Sequence, residues 1–241
     1  PMEAILSLAE AHNLYVVEDV AQALGASCYC RGGWRKAGTM GTLGTTSFFP
    51  VKNLGCMGDG GALFTADPAL AYQARVLRQH GMSAQYHYHH VGLNSRLDTM
   101  QAAILQVKLP YLDQFNRERQ AVAAAYDEAL SDLQGIQVPK RTAFSEHVFQ
   151  QYTLRVPNQQ RDHLKAFLGD HGIPSKVFYP TGLHEHEVYQ DGKSAYDNLS
   201  ASLKVRQEVL SLPMHTEISY QDINYITQKI REWAGQLEPA E

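Results

Sequence analysis

The feature that most constrains this chain is the local pattern with which it opens. An amphipathic stretch runs into a short apolar run, and the run ends in polar residues. At the start, Met2, Ile5, Leu6 and Ala9 fall on one helical face. Leu14–Val17 is then a short apolar run that stops at Glu18 and Asp19. A buried run of this length after a helix is the signature of a strand in a parallel sheet. Carboxylates at the C-terminal end of such a strand lie where open α/β sheets hold their ligands. Thr45–Phe49 is another expected short strand, stopped by Pro50. After the turn marked by Gly58, Gly60 and Gly61, residues 62–65 read as another strand. The glycine-rich residues 31–44 between them read as a loop or hairpin.

Helical segments follow. Asp67 is placed to cap one that carries Leu70, Ala74 and Leu77 on one side. Asp98 is placed to cap a second, with Met100, Ala103, Ile104 and Val107 at helical spacing. Pro110 is expected to interrupt that helix before it resumes to about residue 130. The character changes at 135–145. Strands are expected at 152–156 and 175–179, and helices near 160–171, 198–210 and 220–234. The expected organisation is a larger α/β unit over residues 1–135 and a smaller α+β unit over 136–241.

Composition narrows the function classes. Hydrophobic residues make up 44% and charged residues 19% of 241, an ordinary globular balance. The formal charge of −4 gives no electrostatic reason to seek nucleic acid or an anionic membrane. No apolar run is long enough to span a bilayer, and the N-terminus lacks a basic region and a cleavage site. Cys28, Cys30 and Cys56 are a poor disulfide framework, so free thiols and a cytoplasmic location are expected. The HYHH run at 87–90 invites a metal reading. Adjacent histidines share one ion poorly and no carboxylate or cysteine cluster supports them, so no metal site is expected.

Three stretches carry the chemistry: VVEDVAQALGA (16–26), TTSFFPVKNLGCMGDGGALFT (45–65) and VGLNSRLDTMQAAIL (91–105). Together they supply a lysine, a carboxylate at one strand end, a hydroxyl at another, and glycines where backbone must approach a ligand closely. A pyridoxal phosphate site needs such a set, but the set alone is permissive. Taken singly, Lys52 reads as a surface lysine, Asp19 as a helix cap, Ser47 as a local backbone ligand, and Asn94 and Arg96 as a cap and a surface ion pair.

In order, wording and spacing these stretches resemble the DegT/DnrJ/EryC1/StrS family of nucleotide-sugar aminotransferases, over essentially the whole chain. The resemblance implies a fold-type-I aminotransferase, with an α/β/α large domain built on a mostly parallel sheet and a smaller C-terminal domain. It implies that Lys52 bonds pyridoxal 5′-phosphate covalently and that Asp19 faces the ring nitrogen. Gln22 would lie near the ring and Ser47 would hold the phosphate. Asn94 would reach the cofactor phosphate of a neighbouring subunit, in a homodimer. Arg96 would contact the anionic substrate and Tyr179 would line the sugar site, with His184 and His215 as further pocket candidates. The expected partners are an amino-acid donor, glutamate, and a keto sugar on a nucleoside diphosphate, its amino product feeding glycan, lipopolysaccharide or antibiotic-sugar synthesis.

Two departures from the family pattern stand out. The usual N-terminal third, with its Gly-Thr-x-Ala phosphate turn and stacking aromatic, is absent from these 241 residues. The chain is therefore read as a fragment and expected to bind the cofactor weakly alone. Phe178 stands where many relatives carry a histidine, which favours a neutral deoxy-keto sugar over a uronic acid. The NSRLD wording favours a 3-keto position. The rivals are a sugar dehydratase of the same fold, which would carry histidine in place of Lys52, and a non-catalytic relative that binds a partner or sugar nucleotide.

Overall fold

The structure, a computed structural model, describes residues 1–157, 159–189 and 199–236. The chain divides into two compact units. The first comprises Pro1–Arg117 with Arg141–Gln150, the second Glu118–Lys140 with Gln151–Glu241.

In the first unit, helix α1 (Met2–Ala11) leads to strand β1 (Val17–Asp19), as the apolar pattern requires. Only Leu6 and Ala9 of the expected face are buried; Ile5 is exposed. The glycine-rich stretch resolves as a hairpin of β2 (Ser27–Cys30) and β3 (Gly33–Lys36). Strand β4 (Leu43–Ser47) pairs parallel with β1, opposing Asp19 to Thr45. Strand β5 (Gly61–Phe64) pairs antiparallel with β4, opposing Ser47 to Gly61. The central sheet therefore runs β1-β4-β5. β4 starts beneath a tight turn: a Cβ on Gly44 would lie 2.2 Å from the carbonyl oxygen of Gly38, so no larger residue fits.

Helix α2 (Pro68–Leu77) begins as the sequence indicates, with Asp67 accepting hydrogen bonds from the amides of Ala69 and Leu70 and proline at the first turn. Strands β6 (Met82–Ala84) and β7 (His87–Tyr88) form a short irregular hairpin. Helix α3 (Thr99–Lys108) starts at Asp98, whose side chain makes no capping bond. Pro110 lies in a 3-10 turn, and helix α4 (Leu112–Leu130) resumes beyond it. Strand β8 (Ser145–Glu146) joins the edge of β2. Leu54, Cys56 and Leu105 form a core cluster, with Leu24, Phe48, Leu97 and Leu112 packed against it. Phe48 thus packs against the core, whereas Phe49 is exposed.

The second unit pairs β9 (Tyr152–Arg155) antiparallel with β10 (Val209–Leu212). Helices α5 (Arg161–Asp170), α6 (Ser200–Glu208) and α7 (Tyr220–Gly235) complete it. Leu164, Leu168, Ile230 and Trp233 are fully buried. Two expectations are corrected here. The helix expected near 198–210 ends at Glu208, and Val209–Leu212 form a strand with all four residues buried. Residues 175–179 form no strand, only an isolated bridge between Lys176 and Ser211.

Candidate active site

The parallel pairing of β1 and β4 brings two predicted site residues to one end of the sheet. Asp19 is the last residue of β1, and Ser47, the last of β4, lies two positions beyond Asp19's partner Thr45. Asp19 is exposed, and its Oδ1 accepts a bond from the amide of Ala21, which turns the chain out of the strand. Gln22 sits exposed in that turn. The Ser47 Oγ accepts a bond from the amide of Phe49, which leaves its hydroxyl proton free to donate.

Lys52 follows in a turn immediately beyond β4. Its amide donates to the carbonyl of Phe49, 2.9 Å away. The side chain is half-buried. Its Nζ has no hydrogen-bond or ion-pair partner among the described residues. The loop around it is tied down on several sides. The amide of Cys56 bonds the carbonyl of Phe48, Lys108 Nζ bonds the carbonyl of Gly55, and Gln150 Nε2 bonds the carbonyl of Val51. A free amine on a fixed loop, beside a carboxylate and a hydroxyl at neighbouring strand ends, is a donor set that fits pyridoxal phosphate.

One residue of this region escaped the sequence reading. Glu18, one position before Asp19 and on the opposite face of β1, is buried. Its carboxylate accepts three backbone bonds, from Gly38 (2.8 Å), Met40 (2.7 Å) and Gly41 (2.6 Å). It holds the turn over β4 closed and thereby seats the strand that carries Ser47. Alternation alone carried the signal: if Asp19 points outward, Glu18 must point in.

Asn94 and Arg96 lie elsewhere in the same unit. Both are exposed and line a groove of about 1140 Å³ between β5, α2 and residues 94–97, to which Arg75 and Arg78 also contribute. Asp19, Ser47 and Lys52 do not line it. Tyr179 and His184 belong to the second unit. Tyr179 is exposed, and His184 is half-buried in a 3-10 turn whose neighbour Glu185 pairs with Arg206 at 2.9 Å. His87, His89, His90 and His215 are exposed. Among the described residues no three His, Cys, Asp or Glu side chains converge to hold a metal, and no helix is long and apolar enough to cross a membrane. All three cysteines are free.

Comparison with known proteins adds an independent line. Residues 1–231 match the DegT/DnrJ/EryC1/StrS aminotransferase family. A pleiotropic regulatory protein of Geobacillus stearothermophilus is 44% identical over 96% of this chain and 61% of its own length. The dTDP-3-amino-3,4,6-trideoxy-alpha-D-glucose transaminase of Streptomyces venezuelae is 38% identical over 99% of this chain and 62% of its own. Among solved structures, S. venezuelae DesV, in complex with a ketimine intermediate, superposes with a TM-score of 0.91 at 38% identity, covering 98% of this chain and 62% of that one. The chain thus spans about three-fifths of the length of the proteins it matches.

Proposed function

Since the chain belongs to the DegT/DnrJ/EryC1/StrS aminotransferase family, we propose that the protein it represents moves an amino group from an amino acid, glutamate, to a keto sugar carried on a nucleoside diphosphate. The observation that carries this reading is the partnerless Lys52 amine on a fixed loop, beside Asp19 and Ser47 at adjacent strand ends. Lys52, Asp19, Gln22 and Ser47 would hold pyridoxal phosphate. When bound, that group supplies an electron sink for the carbon losing its proton.

Each side chain has a distinct task. The Lys52 Nζ removes a proton from the donor carbon and returns one to the acceptor. The Asp19 carboxylate would face the ring nitrogen and keep its proton in place by charge pairing. The Ser47 hydroxyl would donate to a phosphate oxygen. Asn94, which lines a groove that Lys52 does not, would serve a second copy in a homodimer. Arg96 would pair with an anionic part of the substrate, and Tyr179 and His184 would line the sugar. Similarity to the S. venezuelae transaminase, named for a 3-amino sugar, supports a 3-keto acceptor. Phe178 in place of a histidine favours a neutral sugar. Lys52 weighs against the dehydratase alternative.

A second reading has one observation behind it, the similarity to a protein named as a regulator. On that reading the site binds a sugar nucleotide or a partner without turnover. The two separate in a mass-spectrometric assay of the full-length gene product with glutamate, pyridoxal phosphate and a panel of neutral and uronic 3- and 4-keto sugar nucleotides. Amination of a 3-keto sugar, abolished by Lys52→Ala, is the expected result. Bound cofactor with no amino transfer to any sugar defeats the transaminase reading and leaves the regulatory one.

A further inference from the structure

The loop that carries Lys52 and the turn that follows Asp19 meet at one buried pair of amides. Asn53, adjacent to Lys52, is buried; so is Asn116 of α4. Asn53 Nδ2 donates to Asn116 Oδ1 at 2.7 Å and to the carbonyl of Val148 at 3.2 Å. Asn116 Nδ2 in turn donates to the carbonyl of Leu24 at 3.1 Å. The directions are fixed by the acceptors. Two carbonyl oxygens can only accept, so Leu24 dictates which way Asn116 points, and Asn116 with Val148 dictates which way Asn53 points. Three segments far apart in sequence, residues 20–25, 50–55 and 145–150, are thereby joined through two side chains.

Two further observations show that this junction is built rather than incidental. Gly25 has φ +89°, and a Cβ there would lie 2.3 Å from Asn116 Nδ2. Any larger residue would push the amide off the Leu24 carbonyl. The junction also carries a penalty: Asn53 Oδ1 is buried with no donor among the described residues. A leucine there would remove that unpaired oxygen but would strip Asn116 Oδ1 and the Val148 carbonyl of their donor. The asparagine beside Lys52 is held by what its Nδ2 joins.

We propose that Asn53 and Asn116 are positioning residues that lock the Lys52 loop to the turn following Asp19, and so hold the amine and the carboxylate in register with each other. The proposal rests on the cofactor reading of Lys52 for its purpose, but the coupling itself is measurable without cofactor.

The exchange arm of the test uses the 241-residue chain. Backbone hydrogen exchange is followed at Ala23 and Ala26 in the turn and at Lys52 and Cys56 in the loop, with the β9–β10 amides as a folding control. Asn116→Leu should speed exchange about tenfold in both segments together, the change expected for losing a net hydrogen bond of ordinary strength, and leave β9–β10 unchanged. Asn116→Asp keeps the acceptor for Asn53 but sets an oxygen against the Leu24 carbonyl. It should free the turn while restoring protection to the loop, and it also serves if the leucine variant does not fold. Pyridoxal phosphate is then added to the full-length gene product and its variants, reduced with borohydride, and the labelled peptides mapped. Selectivity for Lys52 over the exposed Lys165 should fall in Asn116→Leu and recover in part in Asn116→Asp.

Exchange that rises in only one segment with Asn116→Leu, or not at all, overturns the coupling. Coupled exchange with unchanged Lys52 selectivity shows a merely structural pair and overturns the positioning role. Equal labelling of Lys52 and Lys165 in the unsubstituted full-length gene product defeats the cofactor reading instead, while the exchange measurement continues to decide the coupling.

Discussion

Glu18 and Asp19 are adjacent carboxylates with opposite duties. Glu18 faces inward and is bonded by three backbone amides; Asp19 faces outward with one. Removing the Glu18 carboxylate leaves buried N–H groups unpaired, each costing roughly 1–3 kcal/mol. Glu18→Ala should therefore lower the stability of the first unit by more than about 3 kcal/mol, while Asp19→Asn should stay within about 0.5 kcal/mol, as exposed sites do. Urea denaturation of the two variants checks this. Equal losses would mean that Glu18 is not the clamp described above. Lys52, Asp19 and Ser47 were legible in the sequence because chemistry and motif spacing mark them. Glu18, Asn53 and Asn116 were not, because their meaning lies in partners 20 to 95 residues away, and no local pattern encodes such pairs.

At the scale of elements, local signals succeeded where one residue type has one explanation. Asp67 before Pro68, and Pro110 between two helices, fell where the structure places a cap and a break. They failed where a short apolar run suits either state. Residues 209 and 210 read as the end of a helix, yet they open a fully buried strand, Val209–Leu212, whose pairing with β9 decides the matter. Helix α7 shows a cap the sequence reading passed over. The Ser219 hydroxyl bonds Asp222 Oδ2 at 2.6 Å, and the Asp222 amide bonds the Ser219 Oγ in return. The hydroxyl bond, then the Ser219 amide, holds the Asp222 carboxyl below its ordinary range. A depressed carboxyl contributes stability above the unfolded value and loses it as pH falls through the folded one. The gap in stability between the native chain and Asp222→Asn should therefore be constant near neutrality and close in the acid range below the ordinary aspartate value. Thermal unfolding against pH reads it, and a gap that persists unchanged at low pH would count against the cap.

For the molecule as a whole, the central sheet is the feature with consequences. Among the described residues, β1 and β5 each pair on one side only. Leu14, Tyr15 and Val17, which lead into and along β1, are 63%, 86% and 58% exposed. Apolar residues beside an open edge favour strand addition and self-association. The 241-residue chain should bind a hydrophobic dye and sediment as concentration-dependent oligomers, and Tyr15→Lys with Val17→Lys should reduce both. A monodisperse monomer that excludes the dye would rule this out. The family and the α/β class were readable from three motifs, two of which hold the sheet's own strand ends while the third leads into α3. The two-unit division with residues 141–150 returning to the first unit was not, because a two-residue strand such as β8 has no periodicity to detect.

The free cysteines add a kinetic dimension to this geometry. Cys28 is half-buried, Cys30 lies in the same hairpin fully covered, and Cys56 sits sealed in the Lys52 loop, its sulfur 3.0 Å from the Phe48 carbonyl. A disulfide exchange reagent should therefore modify Cys28 first. Cys56 should follow only as fast as its loop opens. Its labelling rate then reports how often the lysine loop breathes, residue by residue and without any cofactor, and mass spectrometry of the time course would show Cys56 reacting alongside Cys28 if that loop were loose.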